Sequence, residues 1–179
     1  MTSVRVWPLS VRLLHLGLIA GVAAAWWTRH AADARHEWIG YAVLGVVTLR
    51  LLLGWAARGP ARFGHFVRGP ALVWRYAGLV LQGRAPRYLG HNPLGGWMIV
   101  ALLTLLLTIG LSGWLSTTDR YWGVAWVANV HLWSAYALLA LIPLHVAGAI
   151  HASIVHRENL VAAMIHGRKR PAERGDIDL

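Results

Sequence analysis

A chain of 179 residues, 57% hydrophobic and only 13% charged, with a mean hydropathy of +0.50, is too apolar for an ordinary soluble domain. The absence of cysteine excludes disulfides, thiolate-held iron–sulfur clusters and covalently attached c-type haem, so a redox cofactor would be held without cysteine sulfur. The formal charge of +10 is assigned to the loops of a membrane protein and not to nucleic-acid binding, because the arginines lie where loops fall.

A membrane span needs about 20 mostly apolar residues. The first is expected at about 10–28, "SVRLLHLGLIAGVAAAWWT", preceded by Arg5 and carrying Arg12 and His15 in its first half. It is too long for a signal-peptide core, and no clear small-residue cleavage site accompanies it. A short loop with Arg29, His30, Asp33 and Arg35 leads to His36 and a second span at about 37–56, "EWIGYAVLGVVTLRLLLGWA", which holds Arg50. The next loop carries Arg58, Arg62, Arg68, Arg75, Arg84 and Arg87 and no acid. Within it, "PALVWRYAGLVLQG" at 70–83 is too short to span and reads as an interfacial helix. Asn92-Pro93 is a helix start, with asparagine as cap and proline in the first turn, and the third span follows at about 94–115. The fourth is expected at about 129–155. Tryptophans gather at the ends of these segments, as interfacial anchors do. The basic loop and the tail residues Arg157, Arg168, Lys169, Arg170 and Arg174 place both termini in the cytoplasm, against only Arg29, Arg35 and Arg120 on the other side. The expected fold is all-α, an integral membrane four-helix bundle over residues 1–170, with 171–179 as a disordered tail.

The fourth span carries His131, His145 and His151, with His156 just beyond it. His131 and His145 are 14 residues apart, so at about 100° per residue they share a face, separated by about 21 Å along the axis. One metal ion cannot bridge that distance, which argues against a zinc site with its clustered ligands. Depth pairs His36 with His131 near the outer surface and His15 with His145 nearer the cytoplasm. Two bis-histidine sites at two depths are the pattern of a dihaem b-type cytochrome. A lone membrane histidine often just bonds a neighbouring helix, but four at matching depths read as ligands. His151 falls on another face. His156 returns to the ligand face at the boundary and is the rival of His145, as His30 is of His36. His65, His91 and His166 read as solvated loop or tail residues. Arg12, one turn before His15, and Arg50, sharing the face of His36, are candidates to pair with haem propionates, with snorkelling to headgroups as the alternative. Gly17, Gly21, Gly40, Gly45, Gly110, Gly113 and Gly148 could admit a helix or a porphyrin, and none is assigned.

The stretches "VWPLSVRLLH", "GYAVLGVVTLRLLLGWAARGPARFGHFVRGP", "YLGHNPLGGWMIVALL" and "HRENLVAAMIHGRKR", with the two histidines 14 apart, resemble the bacterial cytochrome b561 family, which includes the cytochrome b subunits of nickel–iron hydrogenases. The resemblance covers residues 5 to about 170. It implies a four-helix bundle in the bacterial inner membrane with two haem b groups, liganded by His15, His36, His131 and His145. It further implies electron transfer between the quinone pool and a periplasmic c-type cytochrome, dehydrogenase or hydrogenase. Relatives often have Trp-Asp near the start and His-Trp at the first ligand; here the pairs are Trp7-Pro8 and His15-Leu16. With no catalytic domain of its own, the chain reads as an electron-transfer subunit or small carrier more than a self-contained enzyme. A stand-alone superoxide:quinone oxidoreductase is the enzyme alternative, but Arg29, Arg35 and Arg120 are balanced by Asp33, Glu37 and Asp119 and build no field to steer an anion. A cofactor-free membrane anchor is the third reading. His91, Asn92 and His156 are the candidates for a quinone site near the inner haem.

Overall fold

The computed structural model describes residues 3–31 and 34–177; Asp33 of the first loop and residues 178–179 of the expected tail lie outside the described residues. In chain order it contains β1 (Val4–Arg5), α1 (Leu9–Thr28), α2 (Arg35–Ala56), α3 (Phe63–Phe66), α4 (Pro70–Leu81), α5 (Pro93–Ser116), α6 (Ala125–Val155), α7 (Leu160–His166) and β2 (Arg168–Lys169). Helices α1, α2, α5 and α6 are each long and apolar enough to cross a membrane, so this is a multi-pass membrane protein of all-α type with one two-stranded ribbon. α6 begins at Ala125, a turn before the expected 129, and Val127 in that extra turn has 0% exposure. The start of α5 follows from its sequence: Asn92 Oδ1 accepts from the Gly95 N–H at 2.7 Å and Pro93 opens the helix.

The chain forms two compact units. One comprises Leu13–Leu52 and Ala101–Ile142. Its centre is Val43, Val47, Leu106 and Leu138, packed by Leu18, Val22, Leu102 and Ile109 among others. Lipid is as apolar as these side chains, so association here depends on close packing more than on burial from water. Glycines supply the approach: a Cβ on Gly21 would come within 2.5 Å of Val43 Cγ2, and one on Gly110 within 2.8 Å of Leu44 Cδ1.

The other unit comprises Met1–Arg12, Leu53–Val100 and Pro143–Leu179. Here β1 pairs antiparallel with β2, Val4 opposite Lys169 and Arg5 opposite Arg168, which brings the two ends of the chain together. The N–H groups of Val6 and Trp7 both donate to the Gly167 carbonyl, at 2.9 and 3.1 Å. Gly167 ends α7 at φ 81°, and a Cβ there would lie 2.8 Å from the Trp7 carbonyl oxygen, so both conformation and space require glycine. Asn159 caps the other end of α7, accepting from Ala162 N–H at 2.8 Å. Gly96 in α5 lies against α3, where a Cβ would approach the Phe66 carbonyl oxygen to 2.5 Å. A backbone atom cannot swing aside, so Gly96→Ala is expected to cost about 1–3 kcal/mol, read as a lower thermal midpoint in detergent.

The tail differs from the sequence expectation. Residues 171–177 fold back over 87–89: Ile177 N–H donates to the Arg87 carbonyl at 2.8 Å, and Leu89 N–H donates to the Ile177 carbonyl at 3.1 Å. Arg87, read from sequence as a loop charge, is 5% exposed. It donates to Glu158 at 2.8 Å, to the carbonyls of Arg170 (2.9 Å) and Pro171 (3.2 Å), and it pairs with Asp176. Lys169 joins the cluster, 3.3 Å from Glu158, and donates to the carbonyls of Tyr88 and Leu89 at 3.0 Å each. Buried charges require partners, and this cluster supplies them from segments far apart in sequence. Nearby, burial and then Tyr88 push the Tyr76 hydroxyl up to about 12.

Candidate functional site

His36 stands in the first turn of α2, and His131 in the second turn of α6. Their ring centroids are 6.1 Å apart, with the planes at 77°. Each ring is oriented by a backbone carbonyl. His36 Nδ1 lies 2.9 Å from the Ala25 carbonyl oxygen, in the last turn of α1, where the backbone ladder has run out and the same oxygen also accepts from Thr28 Oγ1 at 3.3 Å. His131 Nδ1 lies 3.0 Å from the Ile109 carbonyl oxygen of α5. A carbonyl only accepts, so Nδ1 carries the proton in both rings. In the neutral imidazoles this leaves Nε2 as the free lone pair, the arrangement in which a histidine ligand is held by a second bond behind it.

Gly113 and Ser112 shape the seat of His131. A Cβ on Gly113 would come within 3.2 Å of His131 Cε1, so the missing side chain leaves the ring its path to Ile109, one turn earlier. Ser112 is 5% exposed and donates to the Thr108 carbonyl at 2.6 Å, with its oxygen 3.4 Å from His131 Nδ1. At the rim, Tyr41 donates to Glu37 at 2.8 Å and lies 2.9 Å from Thr117 Oγ1. One turn from His36, a Cβ on Gly40 would meet nothing within 4 Å.

The separation of the two rings limits what the pair can hold. With a metal–imidazole bond of about 2 Å and roughly 1 Å more from nitrogen to ring centre, two imidazoles on opposite faces of one ion stand about 6 Å apart. The observed 6.1 Å has that length. Among the described residues, no group of three or more His, Cys, Asp or Glu side chains could hold a metal ion. Two histidines suffice only where the remaining ligands come with the metal, as a porphyrin supplies them.

His15 is half-buried in α1, and His145 is half-buried in α6, two residues after Pro143. Each belongs to a different compact unit. Arg50 is 6% exposed in α2. Arg12 donates to the Ile165 carbonyl at the end of α7, and its buried Nε has no hydrogen-bond partner among the described residues. His91, expected to be solvated, is half-buried between Trp7 and Phe66, with ring centroids at 4.4 and 4.7 Å. It lines a small cavity with His65, Tyr88 and Ile177. His30 and His151 are exposed, and His166 accepts from the Arg168 N–H at 3.0 Å. The sequence reading missed the Ala25 and Ile109 carbonyls, which no side-chain pattern announces; Gly113 was visible only as one of seven unassigned glycines.

No curated protein and no solved structure gives a match to this chain. The family model described as prokaryotic cytochrome b561 matches residues 6–167. The chain therefore belongs to the prokaryotic cytochrome b561 family.

Proposed function

We propose that the protein is a dihaem membrane cytochrome that passes electrons between the quinone pool and a periplasmic redox partner, a c-type cytochrome or a dehydrogenase or hydrogenase subunit. Family membership implies b-type cytochrome electron transfer in a membrane, with haem as the redox group. The observation that carries the fuller reading is the His36–His131 pair: 6.1 Å between rings, with Nδ1 of each committed to a carbonyl. Haem bound there would supply a one-electron iron couple. The protein's part is to hold the two Nε2 atoms in place; with both histidines committed to the haem there would be no room for oxygen at the iron, which favours electron transfer over oxygen chemistry. The carbonyls behind the rings raise ligand basicity and hold the ring planes. His15 and His145 are proposed as the second ligand pair. Arg12 and Arg50 are proposed as propionate partners, and the unpartnered Nε of Arg12 supports its share of that role. The arginine-rich loop supports cytoplasmic termini in a bacterial inner membrane.

The reading predicts two haem b per chain by pyridine haemochrome, with a sharp low-spin band in the dithionite-reduced minus oxidised spectrum. Folded protein that stays colourless after haem loading would sink it and leave the membrane-anchor reading.

A further inference from the structure

We propose that the junction of α6 and α7 is a binding site for one anionic phospholipid, with Arg157 as the headgroup ligand. An open groove there is lined by Ile150, Ser153, Ile154, Arg157, Asn159 and Val161, together with Glu158. Its walls are apolar and uncovered: Ile150, Ile154 and Val161 are 47%, 71% and 55% exposed. α6 has 31 residues, about 46 Å of helix, against a hydrocarbon core of about 30 Å. With the helix centred in the membrane, Ile150 falls at the edge of the hydrocarbon and the Arg157 backbone just outside the headgroups, from where its long side chain reaches back to the lipid phosphates. An acyl chain lying along Ile150 and Ile154 would thus carry its phosphate to Arg157.

The backbone supplies the second observation. α6 ends in a paired cap: Glu158 N–H donates to the Ser153 carbonyl at 3.0 Å, and Arg157 N–H donates to the Ile154 carbonyl at 3.2 Å. This cap puts its penultimate residue in the left-handed region, where glycine is cheapest. Arg157 occupies it at φ 49°, and among the described residues it is the one non-glycine with positive φ. Gly167 fills the equivalent position at the end of α7. Arginine at the strained position keeps a guanidinium where glycine would fold at less cost. That guanidinium is exposed and makes no hydrogen bond or ion pair among the described residues. The acid beside it does not cancel its charge, because Glu158 is committed to Arg87 and Lys169. The groove therefore offers a net positive rim over an apolar wall, which matches an anionic lipid and not a zwitterionic one.

The test is native mass spectrometry of the protein released from micelles doped equally with phosphatidylglycerol and phosphatidylcholine. The wild type is expected to retain one phosphatidylglycerol in preference. Arg157→Gly is expected to weaken that retention roughly fivefold while the thermal midpoint stays level or rises, and Arg157→Lys to keep the preference. Val161→Gln, on the exposed wall, is expected to weaken retention of the lipid with no change in fold. Equal retention of both lipids by the wild type, or unchanged phosphatidylglycerol retention in Arg157→Gly, would overturn the proposal. So would displacement of the lipid by excess inorganic phosphate, which would make this a simple anion site. None of these outcomes depends on haem, so the proposal stands or falls apart from the electron-transfer reading.

Discussion

Arg87→Ala is expected to destabilise the protein by about 2–4 kcal/mol, because it leaves the buried Glu158 carboxylate with Lys169 as its one remaining ion partner and leaves Asp176 without the guanidinium it pairs with. Glu158 is 6% exposed at its side chain, and its 2.8 Å bond from Arg87 is the shortest of its two ion pairs. The same guanidinium holds the carbonyls of Arg170 and Pro171 and pairs with Asp176, so its loss also frees the segment 171–177. Thermal unfolding in detergent reads the first effect and limited proteolysis of the tail reads the second. A shift below about 1 kcal/mol with the tail still protected would show that the cluster acts as a surface network.

The same cluster sets an acid limit. Burial alone would raise the Glu158 carboxyl, but the bonds from Arg87 and the Arg170 N–H, with Lys169 beside it, hold it below the ordinary carboxylate value. Asp176 is likewise held down, burial being outweighed by the Glu173 N–H and by Arg87. His156 is lowered by burial, then by Arg87 and Lys169. For all three groups the unfolded chain takes up protons before the folded one, so stability falls as pH falls. The decline begins below the ordinary histidine value of about 6.5 and steepens below the ordinary carboxylate values of about 4. In Arg87→Ala the carboxylates lose a main cause of their depression, and the acid limb of a midpoint-against-pH curve is expected to flatten.

The spans were legible because lipid imposes one pattern, a long apolar run with few charges, and the four histidines stood out against it. The cap at Asn92-Pro93 was legible because its chemistry is local. What could not be read is non-local. Arg87 in an acid-free loop looks like any topology signal, and only the return of Glu158 and Asp176 from elsewhere in the chain makes it a buried hub. The tail "ERGDIDL" has the composition of a solvated end, yet Asp176 and two backbone bonds of Ile177 tie its described part to residues 87–89. His91 looked like a loop residue because the rings that pack against it, Trp7 and Phe66, are 84 and 25 positions away. At the site, helical periodicity could align His131 with His145, but the groups that orient His36 and His131 are main-chain oxygens.

His131→Ala is expected to leave about half of the haem, and His36→Ala the same half, since a haem of this type needs both axial ligands. The decisive comparison is between double variants. Two residues serving one iron are not additive: once either is gone the group is lost, and removing the other takes nothing more. His36→Ala/His131→Ala should therefore retain as much haem as either single variant, whereas His131→Ala/His145→Ala should retain none. If His15 instead served the iron of His131, the first double would retain none, and if His156 replaced His145, the second would keep one haem. Gly113→Val adds an independent check, because it keeps every imidazole and removes only the space through which His131 reaches Ile109. Its expected result is a shifted or broadened reduced band from one haem with the other unchanged. An unaltered spectrum would mean that the ring's seat on α5 has no part in holding the iron.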